Sequence, residues 1–136
     1  MIEFFSENEF QLQNEDTIIK WLSQLISKEE YTLGELSFVF CNDQYLHAIN
    51  LEFLNHDTLT DIISFDYSLG KELHGEIYIS TERVKENAVD LEIDFLDELH
   101  RVLAHGALHL CGYGDKTDDE VAVMRRKENE ALGARK

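Results

Sequence analysis

Apolar and polar positions along this chain switch between a period of two and a period near 3.6, the repeats of a half-buried strand and an amphipathic helix. Residues 2–5 read as a short strand. Residues 17–26 place Ile18, Trp21, Leu22, Leu25 and Ile26 on one helical face, which puts Trp21 in the core. Residues 36–41 alternate and are rich in Phe and Val, a strand signal. Asn42 or Asp43 can cap a helix running through Tyr45, Leu46, Ile49 and Phe53. Residues 61–67 and 75–79 read as two more strands, with Gly70-Lys71 in a hairpin connection between them. Ser80 or Thr81, followed by Glu82 and Arg83, opens the next helix. Asp94 reads as the N-cap of a helix carrying Leu96, Leu99, Val102, Leu103 and finally His105 and His109, and Asp118-Asp119-Glu120 opens a last one.

The order β-α-β-α-β-β-α-α-α predicts an α/β (α+β) fold, a small mixed sheet of about four strands packed with about five helices. The helix that follows Asp94 is apolar on more than one side, so it is expected to be central and the most buried. No proline, repeat or Gly/Ser-rich linker interrupts the 136 residues, and a single domain spanning 1–136 follows.

Composition narrows the class. A hydrophobic content of 43%, with 10% aromatic residues, fits a folded globular protein and excludes a disordered one. No apolar run reaches membrane-spanning length and no signal pattern opens the chain, so a soluble cytoplasmic protein is expected, with no membrane partner. Cys41 and Cys111 are too few for a disulfide framework. A net charge of −16 argues against a general nucleic-acid binder, and DNA is not an expected partner. The basic residues are unevenly placed, however. Lys116, Arg125, Arg126, Lys127, Arg135 and Lys136 supply half of the chain's 12, and they form a candidate surface for an anionic substrate.

The chemistry concentrates in one segment. His105 and His109 lie four apart at the end of the central helix, so both imidazoles can reach one point. Gly112 follows where a helix commonly ends in a left-handed turn, which can fold Asp115 back toward the rings. Two imidazoles and a carboxylate are the ligand set of a catalytic zinc site with one coordination position open. Cys111 falls off the histidine face and reads as a small apolar residue. A zinc protease helix would carry a glutamate directly after the first histidine, where this chain has Gly106. The site looks hydrolytic, and the carboxylate that activates water in proteases is missing. His47, His56, His74 and His100 have no ligand-type spacing among themselves; His56 is the alternative third donor should Asp115 not serve.

Three segments together resemble the YbeY endoribonuclease family of 16S rRNA maturation factors. His105-Gly106-x-Leu108-His109-Leu110-x-Gly112-Tyr113 is similar to the family signature H-G-x-L-H-L-x-G-Y-D-H. Thr60-Asp61-Ile62-Ile63-Ser64-Phe65 is similar to its T-D-V-L-S-F strand, and Gly75-Glu76-Ile77-Tyr78-Ile79-Ser80 to its G-D-I-x-I-S strand. The resemblance implies a zinc-dependent endonuclease of single-stranded RNA acting in rRNA processing and ribosome quality control. Its partner would be rRNA or a ribosomal particle, and its metal would sit in a cleft over the sheet. By the same resemblance Thr60, Asp61 and Ser64 belong to the substrate cleft. The chain departs from the family twice. Asp115 stands where the family has its third histidine, and Phe53-Leu54 stands where the family usually has Tyr-Arg. A leucine there removes a phosphate-binding cation, and Lys116, beside Asp115, is the candidate substitute.

The expected protein is therefore a ribonuclease with one zinc per chain on His105, His109 and Asp115. No general base is identified. The rivals are a metzincin-like zinc hydrolase acting on peptides and a non-catalytic ribosome assembly factor with a structural metal. An exchangeable water on the metal favours the enzymes; four protein ligands favour the factor.

Overall fold

The computed structural model describes residues 1–54 and 60–135. Among the described residues, nine elements follow in the expected order: β1 (Ile2–Ser6), α1 (Glu15–Lys28), β2 (Thr32–Cys41), α2 (Asp43–Leu54), β3 (Ile62–Asp66), β4 (Glu72–Ser80), α3 (Thr81–Leu91), α4 (Phe95–Leu110) and α5 (Asp118–Gly133). The strands form one sheet in the order β1-β2-β4-β3. β2 runs parallel to both β1 and β4, while β3 closes the edge antiparallel to β4. Leu69 and Glu72 pair across the Gly70-Lys71 connection, which is the hairpin expected there.

Local chemistry sets most boundaries. Asn42 caps α2 by accepting the Tyr45 N–H at 2.8 Å. Ser80 caps α3 by accepting the Arg83 N–H. Thr117 caps α5 in a reciprocal pair with Glu120, which satisfies two otherwise unpaired helix-end N–H groups.

Strand alternation decides what each sheet face buries. Leu36, Phe38 and Phe40 of β2, with Leu73, Ile77 and Ile79 of β4, face the main core. They pack under α1 and α4, whose contributions include Trp21, Leu22, Ile26, Leu99, Val102 and Leu103. The opposite face builds a smaller cluster of Cys41, Leu46 and Ile63 beneath α2. Several residues of the apolar patterns stand outside, Leu96 and Phe53 among them. Leu96 is 51% exposed, because Phe95 takes the inward position of the first turn of α4, edge-on to Phe10. Phe53 is 63% exposed at the end of α2, which lies on the thinner of the two layers. α4 is buried along most of its length, as its pattern required.

Candidate active site at the end of the central helix

α4 meets the sheet at Gly106. A Cβ placed there would stand 3.0 Å from Ile77 Cδ1 and 3.1 Å from Ile62 Cδ1. The residue after the first histidine thus points into the sheet. A glutamate at this position would collide with the core instead of reaching a substrate, so the protease arrangement has no room here.

The end of the helix is built by Gly112, whose φ of 101° lies in the left-handed region. The Gly112 N–H donates to His109 O at 3.0 Å and the Tyr113 N–H to Leu108 O at 3.2 Å, the paired closure of a Schellman turn. This turn brings the Tyr113 carbonyl to 3.0 Å from His109 Nδ1. A carbonyl only accepts, so Nδ1 carries a proton, and Nε2 is the nitrogen left to face a ligand. Tyr113 is itself held: its hydroxyl donates to Glu29 Oε1 at 2.6 Å, and Lys127 Nζ lies 3.2 Å from Glu29 Oε2.

His105 is held by different means. Its Nδ1 lies 2.7 Å from Glu128 Oε2, across the contact between α4 and α5. Glu128 is 2% exposed and Glu98 is fully buried; Arg101 bridges them, with Nη1 3.1 Å from Glu128 Oε1 and Nε 2.7 Å from Glu98 Oε1. Burial works against the charge of Glu128, but the His105 hydrogen bond and Arg101 outweigh it and hold the carboxyl below its ordinary range. The same balance acts on His105. Burial disfavours the charged ring, yet the hydrogen bond and charge of Glu128, with Asp115 beyond, raise its pKa. The Glu98 hydrogen bond is the main cause that holds the Arg101 guanidinium firmly protonated.

Asp115 comes back over the turn as its position suggested. Its Oδ2 lies 3.4 Å from His105 Nε2. The His105 and His109 rings are parallel within 4°, with centroids 6.4 Å apart. The structure thus brings His105 and Asp115 together and keeps His109 one helical turn away, more exposed. Among the described residues, no three His, Cys, Asp or Glu side chains are gathered tightly enough to hold a metal ion. The donor chemistry nevertheless fits zinc. Bonds of about 2.1 Å at a tetrahedral angle separate two ligand atoms by roughly 3.4 Å, which is the His105–Asp115 spacing. Each imidazole also has an outer acceptor on Nδ1, the arrangement that orients metal-bound histidines.

A cleft of about 80 Å³ opens at this point, lined by Arg101, His105, Asp115, Val121, Met124, Arg125 and Glu128. A roomier hollow of about 200 Å³ lies elsewhere, among Trp21, Leu25, Leu108 and Ala131, and contains neither histidine. Asp61 is half-buried at the start of β3; burial raises its carboxyl, while Arg101 and His105 act in the opposite sense. Thr60 Oγ1 lies 3.4 Å from Ile62 O, and Ser64 sits beside Ile77 in register, on the side of the sheet that faces α4. Lys116 is exposed and stands outside the walls of the cleft. Leu54 closes α2, and His56 lies outside the described residues. Cys111 is buried, and burial pushes its thiol up to about 12, consistent with its reading as an apolar residue.

A family model described as endoribonuclease YbeY matches residues 2–136. The chain belongs to the YbeY endoribonuclease family. A relative named endoribonuclease YbeY from Flavobacterium johnsoniae is 55% identical over 132 residues, covering 97% of this chain and 95% of the relative. Another, from Christiangramia forsetii, is 56% identical over 131 residues, covering 96% and 92%. The solution structure of TM1509 from Thermotoga maritima superposes with a TM-score of 0.70 at 25% identity, over 97% of this chain and 87% of that one. The YbeY signature residues thus lie on the end of α4 and on the two strands beneath it.

Glu98, Arg101, Glu128 and Glu29 were not legible as site residues in the sequence. One signal was available for Glu128. It stands four residues after Met124, on the same face of α5, where a buried acid needs a partner.

Proposed function

We propose that this chain is a zinc-dependent, single-strand-specific endoribonuclease that acts in the cytoplasm in 16S rRNA 3′-end maturation and ribosome quality control, on rRNA or a ribosomal particle. One zinc is held by His105, His109 and Asp115. The observation that carries the assignment is the His105 Nε2–Asp115 Oδ2 spacing of 3.4 Å, with both histidine Nδ1 atoms already committed to acceptors. Family membership supports the endoribonuclease activity. A bound zinc supplies a Lewis acid for the scissile phosphate and a more acidic attacking hydroxyl or water.

The chain's own residues do the rest. Glu128 and the Tyr113 carbonyl keep each Nδ1 protonated, which fixes the tautomer that offers Nε2. Gly106 seats the helix directly on Ile62 and Ile77, so the site is backed by rigid core. That same seating disfavours the peptidase reading. The assembly-factor reading needs a fourth protein donor, and Cys111 packs in the main core and does not line the cleft beside His105 and Asp115.

The test is metal analysis with RNA cleavage. Purified protein is expected to carry about one zinc per chain, with His105→Ala and Asp115→Asn binding it about 10-fold or more weakly. Cleavage should be confined to single-stranded RNA and stop on chelation. Undiminished zinc affinity in Asp115→Asn would remove Asp115 from the ligand set. Metal with no exchangeable water would point to the structural role.

A further inference from the structure

The cleft beside His105 and Asp115 must receive a phosphodiester, yet it carries carboxylates and belongs to a chain of net charge −16. A cation is needed at its mouth. Of the two arginines lining it, Arg101 is already committed. Its side chain is 16% exposed and its guanidinium is shared between Glu98 and Glu128. The other basic residues of the C-terminal segment are also occupied or turned elsewhere. Lys127 pairs with Glu29 and lies over the Tyr113 ring. Arg135 pairs with Asp97 and lies 2.8 Å from His100 Nδ1. Arg126 and Lys116 are exposed and do not line the cleft.

Arg125 differs from all of these. Val121, Met124, Arg125 and Glu128 share one face of α5 by their spacing, and that face forms a wall of the cleft. The Arg125 side chain is 57% exposed, and its nearest carboxylate contact, Nε to Glu128 Oε1, is long at 3.9 Å. The contact is longer than a hydrogen bond, so it leaves the donors of a cleft-lining guanidinium available. A planar guanidinium held this way can grip two phosphate oxygens at once.

We propose that Arg125 is the substrate-phosphate anchor of this site, in place of Lys116. The proposal rests on the ribonuclease reading above. It is tested by the affinity of the full chain, as purified, for a non-cleavable 2′-O-methyl single-stranded RNA, followed by fluorescence anisotropy across a salt series. Arg125→Gln is expected to weaken binding about 10-fold at low salt and to flatten the salt slope by about 0.7, one phosphate contact. Arg125→Lys should restore the slope and only part of the affinity, because the charge returns without the fork. Lys116→Gln should match the parent, and zinc content should be unchanged in all three variants. Parental affinity and slope in Arg125→Gln, or the loss appearing in Lys116→Gln, overturns the assignment while leaving the ribonuclease reading intact. A parent chain that binds no RNA at any salt overturns both.

Discussion

The two histidines of the site are the same residue on the same helix face, yet they are held in opposite ways. His105 is oriented by a buried carboxylate on another helix, through a network of Glu98, Arg101 and Glu128. His109 is oriented by a backbone carbonyl four residues further on, delivered by the turn at Gly112. The first support is ionic, tertiary and protected from water. The second is local, exposed and built from backbone geometry. One donor is thus tied to the integrity of the core and the other to a single turn. A change in α5 should reach His105 first, and a change in the turn should reach His109 first.

The largest expected effect comes from removing the cation at the centre of the buried network. Arg101→Met leaves Glu98 and Glu128 buried without their shared partner, and stability should fall by about 4 kcal/mol. Urea denaturation measures it. A loss below about 1 kcal/mol would mean that the network is not under the electrostatic demand its burial implies.

Next comes the paired test of the two supports. Glu128→Gln keeps an acceptor for His105 Nδ1 but removes the charge, so zinc affinity should fall about 10-fold. Competition with a chromogenic chelator reads this directly. Zinc affinity equal to the parent's would show that the carboxylate does not tune His105, and the contrast between the histidines would collapse.

The smallest effect is expected on the other side. Gly112→Ala forces a Cβ into a φ of 101°, at about 1–2 kcal/mol. Hydrogen exchange should show the last turn of α4 opening more readily while the network around Arg101 keeps its protection. If Gly112→Ala instead loosens the whole of α4, the two supports are one cooperative unit.

Much of this molecule is legible in its sequence. The nine elements appear in the order their hydrophobic periods indicate, and the His105–His109 spacing, the Gly112 turn and the return of Asp115 all follow from short-range rules. Such features depend on residues a few positions apart, where helix period, capping and the conformational freedom of glycine decide the outcome. The family signature sits in these same segments, which is why the resemblance was visible. Leu96 lies on α4 as the pattern indicates, but a periodic pattern does not tell which of two neighbouring apolar residues the first turn of a helix turns inward, and Phe95 takes that place.

What only the tertiary structure decided lies at longer range. Glu128 meets His105 across 23 residues and Arg101 across 27, and both contacts exist because α5 packs back along α4. In the sequence, Glu98 and Arg101 look like an ordinary exposed helix pair; burial turns them into a charge network on which the site depends. The basic run Arg125-Arg126-Lys127 is uniform as text. One helical turn of α5 sends Arg125 to the cleft, Arg126 to solvent and Lys127 to Glu29. Local sequence sets the elements and the donors, because backbone and short-range energies act there. Packing between elements sets which charges are desolvated and which remain available for a substrate, because burial is a property of the assembled fold.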